Sequence, residues 1–206
     1  RSETGTHGGE MVSARNDIDF VKFQDHLLQQ IVNESGSALH FTCGIVRFRI
    51  FSVAFVFLYC QCSVGMNDEN SRRMEQVNIL FKIRGLPWII YSDFNMPPDD
   101  LLKSGWTQFS KSEIVTPKGA TSTLKGTSGR IIDFCLVHRS ILGVVKILEL
   151  NTFAHSTPHF MLNLELMAHP RFIVEPTICV PNALPLGVFS SNWAAYDDSK
   201  REELYI

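Results

Sequence analysis

"PWIIYSDFNMPPDDLL", residues Pro87 to Leu102, is the stretch on which the reading of this chain turns. Trp88 to Tyr91 is an apolar run of strand length, and it leads directly into Asp93 and Asn95 before Pro97 and Pro98 end it. An acid and an amide at the end of a buried strand are costly unless something pairs with them. Local turn amides before Pro97 are one such partner. A ligand or a metal ion is another.

Outward from this strand, "SVGMNDENSRRMEQVNILFKIRG" (63–85) reads as a helix. Asn67 or Asp68 can cap it, acids crowd its first turn, and Met74, Val77 and Phe81 recur at helical spacing. Lys82 and Arg84 suit its last turn, Gly85 its end, and Pro87 forbids continuation. Before it, 38–59 is rich in Phe, Val and Ile and too long for one strand, so two strands meeting near Phe48–Ser52 are expected. The alternation around Arg47, Phe48 and Ile50 fits a half-exposed strand; "VAFVFLY" fits one covered on both faces. Strand, helix, strand in this order favours a parallel pair with a right-handed crossover.

Further along, "MPPDDLLKSGW" suggests a short helix stopped at Gly105, and "RIIDFCLVH" a buried strand containing one acid, Asp133. "HFMLNLELMA" alternates as a half-buried strand opened by His159. Near the start, Ile18, Val21, Leu28 and Ile31 suggest a helix over 18–32. Residues 1–16 are polar, and from Pro170 onward prolines break every run, so 169–206 reads as a linker or tail after a domain spanning 1–168.

The totals are those of a globular domain: 206 residues, 45% hydrophobic, 19% charged, net charge −2. No global basic field points to nucleic acid. Between Lys103 and Lys146, however, seven Lys or Arg face two acids, Glu113 and Asp133. That excess is either a solvated face or a phosphate-holding surface. The five cysteines, Cys43, Cys60, Cys62, Cys135 and Cys179, form no CxxC pair and sit mostly among apolar residues. Buried thiols in a reducing, intracellular compartment are expected, the nucleus included. The first residues lack a signal-peptide core and an initiator Met, and read as cut from something longer. Ile50 to Cys60 is too short to span a bilayer, so a strand is expected and stable membrane insertion is not.

Taken singly, the polar groups have bland explanations. Asp133 could pair with Arg130, and His159 could be a satisfied core histidine. Taken in order, they form a pattern. "THGGEM", "FVFLY", "PWIIYSDFNMPPDDLLKSGW", "GRIIDFCLVH" and "STPHFMLNLEL" resemble, in sequence order, the motifs of the endonuclease/exonuclease/phosphatase superfamily. That superfamily includes apurinic endonucleases, pancreatic deoxyribonuclease and the endonuclease domains of non-LTR retrotransposons, whose "GW" after the DFN helix gives the nearest match.

The resemblance covers about residues 6–168. It implies a two-sheet α/β sandwich flanked by helices, deoxyribonuclease-like and incomplete at its N-terminus. It implies hydrolysis of nucleic-acid phosphodiesters with Mg²⁺ or Mn²⁺, DNA or RNA as partner, and a reverse transcriptase domain downstream in a longer parent. By motif, Asp93 resembles the acid that orients or deprotonates the attacking water, and Asn95 the amide that holds the phosphate. His159 resembles the histidine on the non-bridging oxygens, Asp133 the aspartate that holds that histidine, and Tyr59 the tyrosine that contacts the phosphate. The basic stretch Lys103–Arg130 would lie beside the scissile phosphate.

The sequence also departs from the pattern. The family's metal-binding Glu in a "QE" motif has no counterpart, Glu10 lying outside that context. "SDH" is "TPH" here, with Pro158 in the place of an acid, and "GDFN" is "SDFN". Impaired turnover is therefore expected. The competing readings are a nucleic-acid-binding remnant without catalysis and a phospholipid-directed member of the superfamily.

Overall fold

In the computed structural model, the described residues are 12–14, 18–48, 50–123, 128–151, 153 and 158–167. The "THGGEM" segment, Cys179 and the proline-rich tail lie outside them.

Among the described residues, eight strands and four α-helices follow one another. β1 (Phe20–Lys22), α1 (Asp25–Ser35), β2 (Phe41–Arg47) and β3 (Ser52–Tyr59) come first. α2 (Asp68–Arg84), β4 (Trp88–Asp93), α3 (Pro98–Lys103) and α4 (Trp106–Phe109) form the middle. β5 (Ser112–Val115), β6 (Asp133–His138), a 3₁₀ turn (Arg139–Val144), β7 (Val145–Asn151) and β8 (Met161–Leu166) complete it. A six-stranded mixed sheet has the order β1-β2-β3-β4-β6-β5, and β7 and β8 pair as a second sheet. β3 and β4 are parallel neighbours joined through α2, as the strand–helix–strand pattern requires. β2 and β3 form an antiparallel hairpin whose register runs from Phe41↔Leu58 to Arg47↔Ser52, and its bend falls where two strands were expected to meet.

Side-chain alternation divides the core into two layers. Ala54, Val56 and Leu58 of β3, Trp88 and Ile90 of β4, and Phe134 and Leu136 of β6 share one apolar cluster with Ile31 of α1 and Met74, Val77 and Leu80 of α2. The intervening residues Val53, Ile89, Cys135 and Val137 share the other with Ile141, Val144, Leu148 of β7 and Leu162 of β8. The central strands are thus covered on both faces, by helices on one side and the small sheet on the other, which is the expected sandwich. The Tyr91 hydroxyl donates to the Leu162 carbonyl at 2.5 Å, pinning the second sheet to the first.

Capping follows the sequence signals. The Asn67 side chain accepts from the Asn70 N–H at 2.9 Å, and Gly85 ends α2 at φ 60°. Two buried amides then fix loops. Asn70 accepts from the Gln61 N–H at 2.7 Å and donates to the carbonyls of Gln61 and Gly65, holding the loop after β3. Gln76 donates to Ser37 and Ala38 and accepts from the His40 N–H, holding the loop before β2.

Some expectations fail. The helix expected over 18–32 starts at Asp25, because Phe20–Lys22 pairs with β2 instead. The Phe20 ring lies over Gly44, where a Cβ would come within 2.0 Å of it. Cys43, Cys60 and Cys135 are buried free thiols, but Cys62 is exposed. Among the described residues no helix is long and apolar enough to cross a membrane, and "VAFVFLY" is strand β3.

Candidate active site

The parallel register of β3 and β4 sets Tyr59 beside Asp93, and the antiparallel register of β4 and β6 sets Asp93 beside Asp133. Strand pairing alone thus brings three side chains from distant sequence positions to one end of the sheet. Phe94 and Phe134, each next to one of the acids, are fully buried and anchor both strand ends.

His159 arrives from the segment before β8. Ser122 bridges both Arg130 and His159, and Thr123 N–H donates to the Pro158 carbonyl at 2.9 Å while Phe160 N–H donates to the Thr121 carbonyl at 2.8 Å. His159 Nδ1 lies 3.0 Å and 3.1 Å from the two carboxylate oxygens of Asp133. Its Nε2 is 3.9 Å from Asp93 Oδ2. Asp133 therefore takes His159 as its partner, where the local reading had Arg130. This contact orients the ring with Nδ1 toward Asp133 and Nε2 toward Asp93.

Asn95 has φ 52°, a left-handed conformation that asparagine tolerates better than most residues. Its N–H donates to Asp93 Oδ1 at 3.0 Å, and its Nδ2 donates to the Cys60 carbonyl at 2.9 Å. The turn-amide explanation for Asp93 thus holds together with convergence on a site: one oxygen is used locally and the other faces His159. Ser92, where the resembled family has Gly, is buried and donates to the Leu58 carbonyl at 2.6 Å, so its hydroxyl is accommodated within the sheet.

The electrostatics favour proton uptake at one carboxylate. Burial, followed by the neighbouring Asp133 charge, pushes Asp93 up to about 6, against the lowering effect of His159 and Asn95. Burial and the Asp93 charge likewise push Tyr59 up, while the Asn95 side chain opposes them. Tyr59 is thus a neutral hydroxyl, able to donate a hydrogen bond.

One ligand atom each from Asp93, Asp133 and His159 can be chosen so that all lie within 4.8 Å of one another. A small divalent ion binds such ligands at about 2.0–2.6 Å, so a single ion fits between them, and the carboxylates suit a hard cation.

Sequence reading missed Thr121. It is fully buried, and its Oγ1 accepts from both the Ile132 and Asp133 N–H groups at 2.9 Å, fixing the start of β6. Its only sequence signal is an ordinary polar loop. The expectation for the basic stretch is corrected in part. Lys103 pairs with Asp100, and Lys111 lies near His138 at the far end of β4, because β5 enters the sheet from that end with Ser112 opposite His138. Ser122 and Arg130 are the described part that borders His159. Pro158 offers a carbonyl to Thr123 in place of an acid.

The fold, a mixed six-stranded sheet between helices and a second small sheet, is shared with a solved endonuclease domain. The endonuclease domain of TRAS1, a telomere-specific non-LTR retrotransposon, aligns with a TM-score of 0.56 over 74% of this chain and 70% of that one, at 14% identity. An endonuclease/exonuclease/phosphatase family protein from Bacteroides thetaiotaomicron aligns at 0.46 over 60% of this chain and 53% of its own, with 16% identity. The cytolethal distending toxin of Actinobacillus actinomycetemcomitans aligns at 0.44 over 61% of this chain and 52% of its own, with 17% identity. The chain spans about half the length of these last two. No family model and no curated protein matches the sequence.

Proposed function

We propose that this chain is a divalent-metal-dependent phosphodiesterase domain of endonuclease type, acting on DNA or RNA. The observation that carries the reading is the convergence of Asp93, Asp133 and His159, from three separate segments, at one strand edge. Asp93 is the base for the attacking water: its raised pKa makes it a stronger base than an ordinary carboxylate, and a positioned base is worth about 10²–10⁴-fold. As the water's oxygen bonds to phosphorus and the bond to the leaving oxygen breaks, Asp93 takes the water's proton. His159, oriented by Asp133, presents Nε2 to the non-bridging oxygens, and the Tyr59 hydroxyl and Asn95 amide supply further hydrogen bonds to the phosphate. Asp93 and Asp133 would hold Mg²⁺ or Mn²⁺, which stabilises the charge that develops on the phosphate.

Impaired turnover is part of the proposal. Pro158 contributes a carbonyl bond within the backbone where a further carboxylate would strengthen ion binding. The same observation favours a second reading, in which the chain binds nucleic acid without cleaving it. Supercoiled plasmid incubated with the purified chain and Mg²⁺ or Mn²⁺ separates the two. Nicking that Asp93→Ala abolishes supports the enzyme. Salt-dependent binding without metal-dependent nicking supports the second reading. Equal nicking by wild type and variant would mean contamination.

A further inference from the structure

At the other end of β4 lies a groove that takes no part in the site above. Trp88 and Asp93 bound that strand, so at about 3.3 Å per residue the two regions are roughly 17 Å apart. The groove has a volume of about 510 Å³ and lies among the end of α2, α4, the start of β5 and His138. Its walls are aromatic. Phe81 stacks on Trp88 with ring centroids 4.1 Å apart, and Phe109 is 63% exposed at the rim.

Its charged groups are of one sign. Lys82, Lys111 and His138 line it, with Lys82 Nζ 5.8 Å from the Phe109 ring centroid. The hydroxyls of Ser110 and Ser140 add hydrogen-bonding capacity, the latter 2.8 Å from His138 Nδ1. Glu75, 3.9 Å from Lys82, borders the adjacent hollow, and no acid lines this groove among the described residues. Against the cations stand the last carbonyls of α2, where the Gly85 N–H closes onto the Phe81 carbonyl. Burial and then the Lys111 charge disfavour protonation of His138, so the groove's positive charge is that of Lys82 and Lys111, and the imidazole adds a hydrogen-bonding group.

We propose that this groove is a second ligand site, separate from the strand-end carboxylates, and that it takes a nucleotide. The flat ring lies against Phe109 and Phe81, the latter backed by Trp88, and the phosphate lies between Lys82 and Lys111. Aromatic walls alone would suit any apolar ring, and the lysines alone any anion. The two together select a molecule carrying both.

The test is calorimetric titration of the full chain with AMP in EDTA, so that no metal engages the strand-end carboxylates. AMP is expected to bind at least about tenfold more tightly than inorganic phosphate, with Asp93→Asn unchanged. Lys82→Gln combined with Lys111→Asn should weaken binding by about tenfold or more. Asparagine is chosen at 111 because φ there is 55°. Should the double variant not fold, Phe109→Ala removes an exposed wall and should weaken AMP by roughly threefold or more. Displacement of AMP by an oligothymidylate would identify the source as a nucleic-acid strand, and failure to displace it a free nucleotide; both outcomes support the site. No AMP binding, phosphate binding as tightly as AMP, or loss of AMP binding in Asp93→Asn would overturn it.

Discussion

Phe94 stacks on Phe134 with ring centroids 4.2 Å apart and planes 20° from parallel. Each ring follows a site carboxylate in the chain, so this one contact, buried in the helix-side layer, fixes where Asp93 and Asp133 emerge from β4 and β6. The chemistry at the sheet edge therefore rests on packing just beneath it.

Truncating that packing should cost both stability and function. Phe134→Ala is expected to lose about 3–5 kcal/mol, the usual range for a buried phenylalanine. Urea denaturation followed by circular dichroism measures it. A loss below about 1 kcal/mol would mean that the pair does not anchor the strands.

Asp133→Asn keeps the side chain's size but removes the charge that faces His159 Nδ1. Plasmid nicking should fall by about 10–100-fold, the range seen when a partner that orients a histidine is lost. Affinity for DNA in EDTA should change little. Unchanged nicking would remove Asp133 from the proposed roles.

Asp93 is held up to about 6 in the metal-free site and a bound cation favours its carboxylate, so nicking in Mn²⁺ should decline as pH falls, at a pH below that value, when the proposed base takes up its proton. Stability should move the other way. A carboxyl whose folded-state pKa lies above its unfolded value of 3.8 stabilises the fold below that value, and the benefit is lost as pH rises through about 6. At pH 7.5 in EDTA, Asp93→Asn should therefore melt at the same temperature as wild type or higher. A clearly lower melting temperature would contradict the assigned burial and charge.

Adding Mn²⁺ at pH 7.5 should raise the melting temperature of wild type, since an ion that binds only the folded state stabilises it by about 2.7 kcal/mol at 100 times its Kd. Thermal scans of Asp93→Asn should show much less of this shift. An equal shift in both proteins would place the ion elsewhere.

The central elements were legible because their signals are local. Asn67 and Gly85 bracket α2, and the apolar runs of β3, β4 and β6 are long enough for buried strands. Asp93, Asn95, Asp133, His159 and Tyr59 were singled out through motif order, and strand register accounts for the proximity of Tyr59, Asp93 and Asp133. Other elements left weaker traces. β5 is four residues inside a polar stretch, and β1 is three residues whose place depends on Gly44 leaving room for the Phe20 ring. Thr121 acts through two backbone N–H groups eleven and twelve residues away, a role that no periodicity or spacing marks. Lys111 was assigned to the wrong end because sequence proximity to Arg130 says nothing about which way β5 runs.

The Tyr91–Leu162 bond ties the small sheet to the large one only three residues beyond His159. While the small sheet is unseated, the strand edge holds two carboxylates and no imidazole. The proposed reactivity therefore depends on the seating of the β7–β8 hairpin as much as on the main sheet.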